Sequence, residues 1–185
     1  MTKPDPRDEL VEHLPAMRAF AMSLTRNSAI ADDMVQDTLV KAWTKIDKFE
    51  VGTNLRAWLF TILRNTYYSN RRKANREVAD VNGVFTESLS QKPDHDGRLQ
   101  MADFQRAFAQ LPDEQREALI LVGASGFSYE EAAETCDVAI GTMKSRVNRA
   151  RKQLAEMMGL NNDDAMELTD NATMAVINAN ASGAI

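Results

Sequence analysis

Cysteine is nearly missing from this chain. Cys136 is the only one in 185 residues, so no disulfide can form within the chain and a reducing compartment is expected. Histidine is almost as scarce: His13 and His95 are the only two, and neither lies in a motif. That leaves no His-centred metal set or acid–base pair at usable spacing. The eight glycines build no phosphate loop, which removes the commonest nucleotide signature. The longest apolar run, Ala118 to Ala124, is far too short to span a bilayer, and the opening Met-Thr-Lys-Pro-Asp-Pro lacks a signal-type apolar stretch. Strand patterning is nearly absent too. The expectation is a soluble, cytoplasmic, all-α protein that works by binding, with no enzyme activity, cofactor, metal or membrane contact.

Acid outnumbers base, and the net charge of −5 would argue against nucleic acid if it were evenly spread. It is not. Between Asn54 and Arg76 stand six cations and no acid: Arg56, Arg64, Arg71, Arg72, Lys73 and Arg76. Lys144 to Lys152 holds five more, again with no acid. Acid collects instead near the N-terminus, over Glu77 to Asp96, and after residue 160. Two basic segments in an acidic protein point to two nucleic-acid contacts, with the other surfaces kept off DNA or facing protein partners.

The second basic segment has a shape. On a helix, Met143, Val147, Ala150 and Leu154 fall on one apolar stripe. Ser145, Asn148, Arg149 and Lys152 face away from it, with Lys144, Arg146 and Arg151 on the flanks. Such a helix can be buried on one side and lie in a major groove on the other. Ahead of it, Ser128 and Glu131 form a capping box that should start a short helix, followed by a turn at Thr135-Cys136-Asp137. Helix, tight turn and basic helix together read as a helix-turn-helix, with Cys136 a small buried residue of the turn.

Upstream, a first helix is expected from Asp8 to about Thr25, burying Leu10, Leu14, Met17, Ala21 and Leu24. A second starts after Ser28, taken as its N-cap, and runs to about Ile46. Its buried stripe is Val35, Leu39, Ala42, Trp43 and Ile46. Asp33, Gln36, Asp37, Val40 and Lys41 point outwards with Met34 near them, an apolar and acidic mixture suited to a protein partner. Asp33 and Asp37 lie one turn apart, but without a His or third carboxylate they are not read as a metal or acid–base pair. A third helix begins at Thr53 or Asn54, continues to about Asn70 and frays through Arg76. It buries Leu55, Leu59 and Ile62, with Trp58 and Leu63 as further candidates, and interleaves arginines with aromatics. Trp58 and Phe60 taken alone suit the core, but six cations without an acid favour a surface able to track phosphates and hold unstacked bases.

Periodicity then fails over residues 77–98, read as an acidic linker. It returns through Met101, Phe104, Phe108 and Leu111. Residues 159–185 are read as a disordered tail, with one short apolar patch, Met174-Ala175-Val176-Ile177.

Three of these stretches, in order, resemble a bacterial RNA polymerase sigma factor of the extracytoplasmic-function type. Ala31-Asp32-Asp33-Met34-Val35-Gln36-Asp37-Thr38-Leu39-Val40-Lys41-Ala42-Trp43 is similar to the sigma-2 helix that grips the polymerase clamp helices. Asn54-Leu55-Arg56-Ala57-Trp58-Leu59-Phe60-Thr61-Ile62-Leu63-Arg64-Asn65 resembles the segment that melts and reads the −10 element. Leu111-Pro112-Asp113-Glu114-Gln115-Arg116-Glu117-Ala118-Leu119 with the helix-turn-helix resembles sigma-4, whose second helix reads the −35 element.

The resemblance implies two small helical domains, sigma-2 over residues 8–76 and sigma-4 over residues 99–158, joined by the acidic linker. It makes Asp33, Gln36, Asp37, Val40 and Trp43 a core polymerase contact. It assigns Asn54, Arg56, Trp58, Arg64, Tyr67, Arg71 and Arg72 to −10 DNA, with the Lys48 to Asn54 break as a loop that captures a flipped base. It assigns Thr142, Lys144, Ser145, Arg146, Asn148, Arg149 and Lys152 to −35 DNA, Arg146 and Arg151 being phosphate contacts or local salt-bridge partners. Ala139 departs from the family's usual Ser or Pro and is a poor cap, leaving those amides to Asp137 or a bound phosphate. Val147-Asn148-Arg149-Ala150-Arg151 is similar to the general-stress-response subgroup of alphaproteobacteria, which implies control by a small anti-sigma factor and release by a response regulator carrying a sigma-like decoy domain. The competing readings are a decoy that only titrates an anti-sigma factor, and a dimeric helix-turn-helix regulator of duplex DNA. The first need not keep both basic faces. The second needs neither the Asp33 to Trp43 surface nor a melting segment.

Overall fold

The computed structural model describes residues 5–80 and 97–160. The order is α1 (Pro6–Glu9), a 3-10 turn (Leu10–His13), α2 (Leu14–Thr25), α3 (Ser28–Thr44), a 3-10 turn (Ile46–Lys48), α4 (Leu55–Asp80), α5 (Gly97–Gln110), α6 (Asp113–Leu119), a π-helical turn (Ile120–Ala124), α7 (Tyr129–Cys136) and α8 (Ile140–Met158). No strand forms among the described residues, as the helical periodicity requires.

The first expected helix is interrupted: Pro15, in the first turn of α2, has no amide to donate and fits only near a helix start. The second helix is capped one residue earlier than expected. Asn27, not Ser28, accepts from the Ile30 amide at 3.1 Å, and Asn is as good an N-cap as Ser. The buried arc of α3 is also turned. Ala31, Met34 and Thr38 are buried with Val35 and Ala42, while Trp43 is 57% exposed. Small Ala31 and hydroxylated Thr38, whose Oγ1 bonds the Met34 carbonyl at 2.7 Å, admit the neighbouring helices closely. Burial shifts to their side, and Trp43 swings out.

α4 runs to Asp80 and α5 starts at Gly97, so the ends of the expected linker are helical. Its remainder, residues 81–96, and the expected tail from 161 with its Met174 to Ile177 patch, lie outside the described residues. Two bundles, α1–α4 and α5–α8, share a single buried cluster. Phe60 of α4 joins them, with ring centroids 5.1 Å from Phe20 of α2 and 5.1 Å from Phe127 before α7. The π-helical turn and Gly126, at φ +67°, aim Phe127 inwards.

Candidate functional site

The helix-turn-helix forms as its sequence specifies. Ser128 Oγ accepts from the Glu131 amide at 3.1 Å, and Glu131 Oε2 accepts from the Ser128 amide at 2.8 Å. The turn sits later than expected, however. Thr135 and Cys136 belong to α7, and Asp137 closes it in the left-handed region at φ 54°, where Asp is tolerated. Ala139 is the N-cap of α8 and offers no side-chain bond. Asp137 caps α7 rather than α8. Cys136 is buried, and burial first, then the Glu117 charge, pushes its thiol up to about 12. It is therefore an inert packing residue and not a reactive thiolate.

Met143, Val147, Ala150 and Leu154 of α8 are all fully buried. Thr142, Lys144, Asn148, Arg149 and Lys152 are exposed on the outer side, and Ser145 is half-buried at its edge. Arg146 is turned inwards: its side chain is 15% exposed and its Nη2 lies 2.7 Å from Glu114 Oε2 of α6. Of the two roles weighed for it, this is the local salt bridge. It fixes the roll of α8, so that the outer face stays outside.

On α3, Asp33, Gln36, Asp37, Val40 and Trp43 share one exposed face. Trp43 is part of it, 5.3 Å beneath the Arg7 guanidinium, which also pairs with Asp47 at 3.9 Å. Met34 is not: it is 2% exposed and faces the core. Among the described residues no group of three His, Cys, Asp or Glu is placed to hold a metal.

The basic face of α4 is partly covered, which its sequence did not foretell: Arg56, Arg64, Tyr67 and Tyr68 are half-buried, while Asn54 and Arg71 stay exposed although each has a partner. Asn54 caps α4 through Oδ1, 3.0 Å from the Ala57 amide, and its Nδ2 donates to Glu131 Oε1 at 2.7 Å. Arg56 lies 4.8 Å over the Phe127 ring. Arg64 Nε is 2.8 Å from Glu117 Oε1, with side chains 17% and 0% exposed. That approach is off the hydrogen-bonding direction, so the pair is held by charge. The Tyr67 and Tyr68 hydroxyls donate to Asp113 at 3.0 Å and Glu117 at 3.2 Å, and Arg71 pairs with Asp113. Trp58 is half-buried against Phe49, 5.4 Å between centroids, whereas Arg72 and Arg76 are exposed. Burial raises the Glu117 carboxyl above its ordinary range, opposed by Arg64. Burial also raises Tyr68, reinforced by Glu117. The acidic half of this cluster (Asp113, Glu117 and Glu131) and Phe127 escaped the sequence reading. The one available signal was Glu117 beside the uninterrupted apolar run that starts at Ala118.

Two families account for both bundles: residues 10–77 match Sigma-70 region 2, and residues 101–154 match Sigma-70, region 4. Along almost its full length the chain is similar to the ECF RNA polymerase sigma factor EcfG of Rhodopseudomonas palustris, at 49% identity over 94% of this chain and 96% of that protein. The chain belongs to the ECF RNA polymerase sigma factors. Its fold agrees: the sigma factor RpoE from Bartonella quintana, solved in complex with the anti-sigma factor NepR, superposes with TM-score 0.75 at 56% identity, over 83% of this chain and 96% of that one. CnrH, solved in complex with the cytosolic domain of CnrY, gives TM-score 0.59 at 28% identity, over 82% and 86%. Sigma factors bind core RNA polymerase and promoter DNA and direct transcription initiation; they are not enzymes. Among the described residues of this sigma factor no helix is long and apolar enough to cross a membrane.

Proposed function

We propose that this sigma factor serves a general stress response in the cytoplasm, without catalysis of its own, and is held by a small anti-sigma factor. The resemblance to EcfG, and the likeness to an RpoE whose structure contains NepR, support that regulation. Asp33, Gln36, Asp37, Val40 and Trp43 grip core polymerase. Asn54, Arg56, Trp58, Arg64, Tyr67, Arg71 and Arg72 serve the −10 element. Thr142, Lys144, Ser145, Asn148, Arg149 and Lys152 serve the −35 element, while Arg146 orients α8.

The observation that carries this reading is the division of α8, with four fully buried apolar residues on one face and exposed Lys144, Asn148, Arg149 and Lys152 on the other. The test is transcription in vitro with purified core polymerase on a promoter library. Initiation from a shared −35/−10 pair is expected. Silence combined with tight binding to an anti-sigma factor would instead mark a decoy.

Two substitutions divide the roles. Arg149→Ala is expected to cost about 1–3 kcal/mol of −35 discrimination; an equal loss on cognate and scrambled duplex would reduce Arg149 to a phosphate contact. Asp37→Ala, at an exposed position, should weaken core polymerase binding while leaving the thermal midpoint unchanged. Undiminished co-purification with core enzyme would remove Asp37 from that face.

A further inference from the structure

α1 buries none of its four residues, and a helix that short does not hold itself in place. Its start is written locally: Asp5 Oδ1 accepts from the Arg7 amide at 2.9 Å, and Pro6 opens the first turn. Its position is not local. Beyond the chain itself, which is anchored at buried Leu10, Arg7 is the α1 side chain that crosses to α3. Its guanidinium lies over the Trp43 ring, 5.3 Å from the centroid. Nη1 donates to Asp5 Oδ2 at 3.2 Å, and Nη2 approaches Asp47 Oδ1 at 3.9 Å. A planar fork that stacks on a ring while facing two carboxylates is a task for arginine and not for lysine.

We infer that Arg7 is a positioning residue for core polymerase binding: it holds the Trp43 indole in one orientation on the α3 face and keeps α1 beside it. The inference rests on the assignment of Trp43 to that face.

Trp43 needs such a support. It is more than half exposed, so packing alone does not fix its ring. Half-buried Arg7 and exposed Asp5 and Asp47 lie at the surface, where ion pairs add little to the stability of a fold. What they can do there is restrict rotamers. A large side chain that becomes ordered only on binding subtracts its ordering cost from the affinity, whereas one already ordered does not. Tryptophan is also a residue type on which interface energy concentrates. The guanidinium takes one face of the indole and leaves the exposed remainder to the partner.

The test is a double-mutant cycle on the full chain: wild type, Arg7→Ala, Trp43→Ala and both together, with Arg7→Lys alongside. Binding of the labelled proteins to purified core polymerase is followed by fluorescence anisotropy. Acrylamide quenching is read on the part of the emission that Trp43→Ala removes, which separates Trp43 from Trp58. Arg7→Ala should bind core about fivefold more weakly, the size of an exposed cation–π contact, at an unchanged thermal midpoint. Its Trp43 emission should be quenched more readily, because both ring faces are then open. Arg7→Lys keeps the charge over the ring but loses the fork, so it should bind about twofold more weakly than wild type. In the Trp43→Ala background, removing Arg7 should change affinity by less than about twofold, since nothing remains for it to position.

Arg7→Ala binding core as tightly as wild type, while Trp43→Ala binds weakly, would overturn the inference alone. So would an undiminished loss from Arg7→Ala in the Trp43→Ala background, which would make Arg7 a direct contact. Trp43→Ala binding core as tightly as wild type would instead remove Trp43 from the polymerase face, and the inference would fall with that reading.

Discussion

Phe60→Ala should unfold at a much lower urea concentration than wild type, with a loss of about 3–5 kcal/mol, the range for removing a buried phenyl group without full collapse of the cavity. Phe60 is fully buried, and it touches one ring from each bundle, Phe20 on one side and Phe127 on the other. Aromatic pairs of this kind contribute about 0.5–1.5 kcal/mol each beyond their buried area. The truncation therefore removes a transfer term, leaves a void and breaks both pairs. Its effect should differ from that of Phe127→Ala, which loses one pair at the edge of region 4. Phe60→Ala should weaken region 2 itself and also uncouple it from region 4, so that two unfolding transitions are expected where the shared buried cluster should give the wild type one. A loss below about 1 kcal/mol, with one transition retained, would mean that the two regions do not share a core through this ring.

Arg64→Met should be strongly destabilising at pH 7 and less so at pH 5. The substitution keeps a long unbranched side chain but strands the Glu117 carboxylate, which is fully buried. Removing one partner of a buried pair costs about 3–5 kcal/mol because the remaining charge is uncompensated. In wild type, burial already raises the Glu117 carboxyl above its ordinary 4.5, opposed chiefly by Arg64 and more weakly by the Tyr68 hydroxyl and Arg146. Without Arg64 the rise is larger. A group whose folded pKa lies above its unfolded one binds its proton more readily in the folded state. Its stabilising effect is full below the unfolded value and is lost as pH rises through the folded value. The gap between variant and wild type should therefore narrow as pH falls from 7 towards 5, measured as the difference in urea midpoints. A gap that is constant with pH would show that Glu117 is not the charge Arg64 holds.

The helices were legible because their determinants are local. The capping box at Ser128 and Glu131 and the stripe Met143, Val147, Ala150 and Leu154 are written at fixed spacing, and all six residues take their expected places. Trp43 and Met34 exchanged roles because periodicity gives the width of an apolar arc but not its rotation. That rotation was set by which small residues, here Ala31 and Thr38, let neighbouring helices approach. The face of α4 was legible as chemistry and illegible as environment. Nothing near Arg64 or Tyr67 in sequence says that Glu117 and Asp113 will lie against them, some fifty positions on. The inward turn of Arg146 likewise depends on Glu114, thirty-two residues earlier.

One consequence follows from the double use of Asn54, which caps α4 through its oxygen and reaches Glu131 through its nitrogen. At an ordinary helix start Asn, Asp and Ser are close substitutes, with Thr little worse. Here Asp would set a second carboxylate against Glu131, and Ser or Thr would be too short to serve both ends. The alphabet permitted at position 54 shrinks to a single letter while Glu stays at position 131. If Glu131 becomes Gln or a neutral residue, Asp becomes acceptable again. The two positions, 77 apart in the chain, are thus expected to be inherited as a pair.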